Sequence, residues 1–503
     1  MRIVTLNPPL IIAGRERSKF SKDSRSPAVS KGGCVYYPFW LGYTTGLLEQ
    51  EGHNVKLIDA PARGITIEQT LKQAIDFEPE LVIVQTVTAS FYNDIDFCEK
   101  LKSIYPNVFI ALSGDHVTAL PTESINASNA VDAVVIGELD FTAKDLALAL
   151  EQEHDLATVN GLVWKRRGSA EQIVYNAPRE FASGGDLDKI PFVSKVYKKH
   201  LVIEDYFYPS VLYPEVTIWT ARGCKFRCTF CKYPQLTTSH QYRARSVKSV
   251  VDEFEWISKN LPQVKDIMIE DDTFTQDRER TIAVCKEIFE RGLKITWTVN
   301  ARADLDFETM SWMKKAGCRL MCVGFESGVQ EILNNVKKGT TVQKIRTFMG
   351  ESKRAKMLVH GCFMLGNKGE TKETIKKTIS FAKELDPDTA QFFPLMVYPG
   401  TEAFEWAKRE GFLTTTNWRE WLLDDGTHNT IISRPGLSAE ELVEACDKAR
   451  LEFYLRPKYV LRKIVQGITN PKEFPRTVKA GITFYKYLAR AVHYRLGMKP
   501  MIA

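Results

Sequence analysis

Two runs of strand–helix alternation followed by a basic tail predict an α/β chain in three parts. These are an N-terminal doubly wound Rossmann-like domain, a partial (β/α)6 TIM-like barrel and a C-terminal helical region. From residue 1 to 150, short apolar runs alternate with amphipathic segments, the pattern of a parallel sheet crossed by helices. After a connector over residues 151–205 the alternation restarts, and residues 206–405 hold six strand–helix units, fewer than the eight that close a full barrel. Residues 406–503 read as a basic helical domain.

In the first domain the expected strands are Ile3–Leu6, Val55–Asp59, Leu81–Thr86, Val108–Leu112 and Ala133–Ile136. Helical spacing near Leu41–Glu51, Ile67–Ala74, Asn93–Ile104 and Thr142–Glu151 supplies the crossovers. Ligands of such sheets bind beyond the strand C-terminal ends. Those ends carry Asp59, Thr86, Ser113 and Gly114, and Gly137-Glu138 follows the last strand. No G-x-G-x-x-G follows a strand, which argues against a dinucleotide. The connector holds a short strand pair around Gly161–Trp164 and Ile173–Tyr175, and Ser183–Pro191 reads as a loop into the next domain. Barrel strands are expected at Val216–Thr220, Asp266–Glu270, Ile295–Asn300, Leu320–Phe325, Leu358–Leu365 and Ala390–Leu395. Each of the first five ends in polar residues, where barrel chemistry sits.

Composition is that of an ordinary soluble globular chain, with 44% hydrophobic and 26% charged residues over 503 positions. Ten cysteines without regular spacing are no secreted disulfide framework, and seven of them read as buried structural thiols. The opening Met-Arg-Ile-Val-Thr-Leu-Asn-Pro-Pro reads as a strand and loop rather than a signal peptide, and no run of 18 apolar residues exists. A cytoplasmic protein is expected. The net charge of +6 is uneven: eleven Lys and Arg against two Glu from Leu451 to Ala503 give +9 there, leaving −3 for the rest. Aromatic residues such as Phe484 and Tyr485, with Leu488, interleave those cations. The tail reads either as an amphipathic surface for an anionic membrane or as the solvated face of a helical cap. Nucleic-acid binding lacks any accompanying module.

Cys224, Cys228 and Cys231 stand at C-x3-C-x2-C spacing on the loop after the first barrel strand. Three such thiolates can hold three irons of a [4Fe–4S] cube, and no fourth cysteine follows nearby. A zinc loop is the alternative, but zinc sites usually pair C-x2-C units with a fourth ligand. The motif resembles the radical S-adenosylmethionine (SAM) superfamily, including the aromatic Phe230 before the last cysteine. The resemblance implies that SAM binds the open iron and is cleaved reductively to a 5′-deoxyadenosyl radical, with an electron donor such as flavodoxin or ferredoxin. It places the SAM amino group at Glu270, Asp271 or Asp272, and the ribose or methionine portion at Glu326 and Ser327. It puts the adenine against the fifth-strand segment holding Gly361, Gly366 and Glu370. Asp272 and Ser327 could equally be helix caps.

A doubly wound domain ahead of such a barrel resembles the cobalamin-binding-domain subfamily of radical SAM enzymes. Cobalamin domains of the methionine synthase type supply a histidine to cobalt from a D-x-H-x-x-G loop. The matching loop here, Asp59-Ala60-Pro61-Ala62-Arg63-Gly64, has Pro61 at that position. Cobalamin would bind without a protein histidine on cobalt, or the domain has kept the fold and lost the cofactor. His116 is a conceivable substitute, although a locally hydrogen-bonded histidine fits as well.

Lys232–Ser246 and Glu270–Thr275 resemble members acting in hopanoid and other membrane-lipid biosynthesis, in particular bacteriohopanetetrol cyclitol ether synthase-like enzymes. The function expected is hydrogen abstraction from an unactivated carbon of a lipid or isoprenoid-linked headgroup, followed by rearrangement or ring contraction. The alternatives are a cobalamin-dependent methyltransferase and a non-catalytic iron–sulfur binding or sensing protein.

Overall fold

The computed structural model describes residues 1–30, 32–166 and 172–469, together with Val478, Gly481 and Ile482. Its first sheet has seven strands. Asn54–Asp59 lies at one edge, followed by Arg2–Asn7, Leu81–Gln85, Phe109–Ser113 and Ala133–Val135, all parallel. Leu81–Gln85 is buried along its whole length, as its Val/Ile-rich sequence requires of a strand covered on both faces. Phe39–Gln50, Ile67–Ile75, Phe91–Ile104 and Leu139–Glu151 are its longer helices.

Two expectations change here. The strand pair assigned to the connector, Leu162–Arg166 and Gln172–Tyr175, pairs antiparallel onto Ala133–Val135 and completes the first sheet. Ser183–Pro191 is not a plain loop. Gly184–Lys189 is a short helix closed by a capping box, in which the Ser183 side chain accepts from Asp186 N and the Asp186 carboxylate accepts from Ser183 N, both at 3.1 Å.

Six further strands, Glu215–Ile218, Asp266–Ile269, Trp297–Ala301, Cys318–Glu326, Leu358–Leu365 and Thr389–Pro394, are all parallel and pair in chain order. The first and last do not pair with each other, so the barrel is open. The fourth strand bulges at its end between Gly324 and Glu326, and Glu326 takes a left-handed φ of 61°.

After the sixth strand the chain returns to the first domain. Leu395–Tyr398, Trp418, Trp421, Ile431 and Ile432 share one apolar core with Val82, Val84 and Leu112. Residues up to Cys446 form one unit with both sheets, and the stretch between Arg409 and Ala439 has only a short 3-10 turn, Trp418–Trp421. The helical region therefore starts later than residue 406, at Ala439–Tyr454.

A second unit begins at Asp447. Its helix Pro457–Thr469 exposes Val460, Leu461, Ile464, Val465 and Ile468, with Ile468 74% accessible. The three apolar tail residues named above, Phe484, Tyr485 and Leu488, lie outside the described residues. Among the described residues no helix is long and apolar enough to cross a membrane.

Candidate active site

The loop after the first barrel strand is fixed by its backbone before any ligand is considered. Asp271 accepts from Thr220 N at 2.6 Å, from Ala221 N at 3.1 Å and from the Thr220 hydroxyl at 2.5 Å. Gly223 has φ 88°, and a Cβ there would overlap the backbone carbonyl of Gln241, so only glycine lets the two chains cross. The Gln235 amide donates to the carbonyls of Cys228 and Cys231 at 3.3 and 2.8 Å. Cys224 and Cys228 are buried and Cys231 is half-buried. Burial pushes the Cys231 thiol up to about 12. Among the described residues no three His, Cys, Asp or Glu side chains gather closely enough for a single metal ion. Phe230 packs half-buried against the core.

The second barrel strand ends in three carboxylates with different duties. Asp271 is engaged by Thr220 and Ala221, two bonds on Oδ1 and one on Oδ2. Glu270 and Asp272 are buried, and Glu270 Oε2 and Asp272 Oδ1 have no hydrogen-bond partner. Burial pushes the Glu270 carboxyl up to about 7. Asp272 Oδ2 accepts from Gly223 N at 2.9 Å, joining this corner to the cysteine loop. Glu326 pairs with Lys338 at 2.7 Å, and the Arg302 guanidinium lies 3.4 Å over the Phe226 ring on the cysteine loop.

The fifth-strand residues named from the sequence make close contacts within the protein. A Cβ on Gly361 would stand 2.9 Å from the Phe325 ring, and one on Gly366 3.0 Å from the Leu442 side chain. A side chain of this protein thus stands close to each glycine. Glu370 accepts from Gly366 N and Asn367 N at 2.6 and 3.0 Å and braces its own loop. Ser327 is fully buried; its hydroxyl accepts from Val329 N at 3.2 Å and meets Thr378 at 3.0 Å, a turn-forming role.

A cleft opens at the C-terminal ends of the first sheet, lined by Gln85, Ser113, Gly114 and Asp115 on one side and by Lys232, Tyr233 and Thr237 on the other. Gly114, at φ 120°, lets the Thr86 carbonyl pass where a Cβ would sit. Lys232, the residue after the last motif cysteine, forms a buried ion pair with Asp115. Lys22 pairs with Asp94 at 2.7 Å, and Gln85 donates to Asp23 at 2.7 Å. Buried atoms without partners cluster around this cleft: Asp23 Oδ2, Gln85 Oε1, Thr86 Oγ1, Ser113 Oγ, Asp115 Oδ1 and Thr237 Oγ1. Buried polar atoms are normally paired, so this set suits a ligand carrying many amide groups, as the corrin rim does.

Asp59 does not belong to that set. Its two oxygens accept from Asn7 Nδ2 (3.2 Å) and Tyr206 OH (2.9 Å). His116 is an aromatic core member, 1% exposed, 3.2 Å from the Thr88 hydroxyl and 4.2 Å from the Phe91 ring centre. Burial lowers it to about 3. Sequence reasoning missed Lys22, Asp23 and Arg25, which lie in a segment without periodicity. Lys232 had a signal in its adjacency to Cys231.

Residues 25–147 match the B12 binding domain family and residues 220–382 the radical SAM superfamily. An uncharacterized methyltransferase of Pyrococcus horikoshii is 32% identical over 430 residues, covering 85% of this chain and 90% of the relative. The chain belongs to the cobalamin-binding radical SAM enzymes. The cytidylyl-2-hydroxyethylphosphonate methyltransferase of Streptomyces wedmorensis is 26% identical over 84% of this chain and 86% of its own. The fold is similar to that of the radical SAM methyltransferase TsrM from Kitasatospora setae, solved with cobalamin and a [4Fe–4S] cluster bound, with TM-score 0.66, 18% identity and 91% of each chain covered. The cofactors of this radical SAM enzyme are a [4Fe–4S] cluster, SAM and cobalamin, and enzymes of this superfamily require a reductant such as flavodoxin or ferredoxin.

Proposed function

We propose that the protein is a cobalamin-dependent radical SAM methyltransferase, the alternative to the headgroup rearrangement expected from the sequence. The observation that carries it is the adjacency of the two sites: Cys231 ends the cysteine motif, and Lys232, the next residue, reaches Asp115 in the cleft of the first domain. Relatives with methyltransferase names match this chain over more than four-fifths of its length. When bound, the three cofactors would supply a 5′-deoxyadenosyl radical and a transferable methyl group. In this reading Cys224, Cys228 and Cys231 each hold an iron. Glu270 and Asp272 orient the SAM ammonium through charge-assisted hydrogen bonds. Glu326 and Lys338 flank the sugar or amino-acid portion. Ser113 and Gly114 would meet the corrin, and Pro61 in place of the loop histidine leaves that position without a metal ligand.

The test does not need the substrate. Reduced, reconstituted enzyme with cobalamin and methyl-labelled SAM should form S-adenosylhomocysteine and place the label in the cobalamin fraction. Deoxyadenosine with no S-adenosylhomocysteine and no labelled cobalamin would return the assignment to a rearrangement.

A lipid or isoprenoid substrate is favoured by one surface. Val460, Leu461, Ile464, Val465 and Ile468 recur at helical spacing and stay exposed on Pro457–Thr469, and Lys458, Arg462 and Lys463 share that helix. Such a helix suits an anionic membrane interface, where each engaged cation adds about 1 kcal/mol. The full chain should sediment with anionic vesicles at low salt and lose most binding near 1 M salt, where screening shortens to about 3 Å. Equal sedimentation with neutral vesicles at low salt would refute membrane docking.

A further inference from the structure

The cation facing Glu270 and Asp272 comes from the first domain. Arg25 Nε stands 3.6 Å from Glu270 Oε1, and its Nη1 is 3.6 Å from Asp272 Oδ1. At that separation these are ion pairs without hydrogen bonds. The guanidinium donates instead to the backbone carbonyls of Asp271 and Glu270, at 3.2 and 3.5 Å. Arg25 is about one-third exposed, whereas the two carboxylates are at most 3% exposed and each keeps one unpartnered oxygen. Leaving such an oxygen unpaired is costly, so this corner retains affinity for a compact donor that fits closer than a guanidinium does.

The chain just before Arg25 belongs to the cobalamin cleft. Lys22 is held by Asp94, and Asp23 is held by Gln85 and, through its carbonyl, by Tyr233 OH at 2.6 Å. Tyr233 also lies under the Arg25 guanidinium at 5.1 Å. Lys22, Asp23 and Tyr233 all line the cleft. A ligand that enters it meets them, and Arg25 is two residues from Asp23.

We propose that Arg25 is a displaceable counter-cation: the ammonium of SAM competes with it for Glu270 and Asp272, and the Lys22–Arg25 segment couples that exchange to cobalamin binding. The inference rests on the reading that this corner takes the SAM ammonium. Cobalamin in the cleft draws Arg25 away from the carboxylates and so strengthens SAM binding. By linkage, SAM strengthens cobalamin binding by the same factor.

Calorimetric binding to cluster-reconstituted full-length protein tests this with two probes, S-adenosylhomocysteine, which carries the ammonium, and 5′-methylthioadenosine, which lacks it. Wild type should bind S-adenosylhomocysteine about tenfold tighter with hydroxocobalamin than without, within the usual range of coupling. Arg25→Ala should bind it tightly in both conditions, and Arg25→Lys, which keeps the charge, should retain part of the difference. Methylthioadenosine should respond to neither change. Weaker S-adenosylhomocysteine binding in Arg25→Ala would make Arg25 a direct ligand contact and overturn the proposal. Coupling that survives in Arg25→Ala, or no coupling in wild type, would overturn it as well. If wild type prefers neither probe, the ammonium reading itself fails, and the exchange with it.

Discussion

Replacing Cys224, Cys228 and Cys231 together by alanine is expected to give a folded protein with no iron–sulfur chromophore and no SAM cleavage. The loop that carries them does not depend on sulfur for its shape. Gly223 N is held by Asp272, Cys231 N donates to Cys228 O at 3.1 Å, and the Gln235 amide caps the carbonyls. Each replacement removes a single sulfur atom, two of the three from buried positions, so thermal unfolding should stay within a few degrees of that of cluster-free wild type. Cobalamin binding should persist, because Asp115, Ser113 and Lys232 are untouched. Iron analysis and the visible spectrum after anaerobic reconstitution measure the outcome. Four irons per chain in the triple variant would show that the cluster is held elsewhere.

Gly114→Ala should do the reverse, losing cobalamin while the cluster still assembles. Gly114 has φ 120° and ψ −174°, a conformation essentially confined to glycine, and its missing Cβ leaves room for the Thr86 carbonyl. Alanine must therefore strain its own backbone and push two strand ends apart, at a cost on the order of 3 kcal/mol. Denaturant unfolding should show that loss, and titration with hydroxocobalamin should show binding weakened at least tenfold. Wild-type affinity in Gly114→Ala would remove this turn from the cofactor site.

Both sheets were legible from the sequence because their strands are continuous apolar runs between amphipathic helices, and every expected strand lies within two residues of its place. Roles within the polar strand ends were harder to separate. Alternation along an extended segment sends Glu270 and Asp272 to one side and Asp271 to the other. That signal was present and would have divided the three carboxylates. No local signal marks Gly361 or Gly366, whose neighbours Phe325 and Leu442 are 36 and 76 positions away. Asp59 was named from a loop pattern, but Tyr206, far along the chain, decides its role. Arg25 is invisible to periodicity because its position depends on tertiary contacts alone.

The apolar core that Trp418, Trp421, Ile431 and Ile432 share with the first sheet bears on how the protein is made. A ribosome completes the first domain some 250 residues before it adds the side chains that cover one of its faces. Throughout that interval, roughly 12–50 s at typical elongation rates, the nascent chain carries an uncovered hydrophobic surface around Phe91 and Val117. Chaperone demand during synthesis should accordingly track the delay to Ile432 rather than the length of either half, and expressing the first domain alone should yield aggregates unless this late segment is supplied in trans.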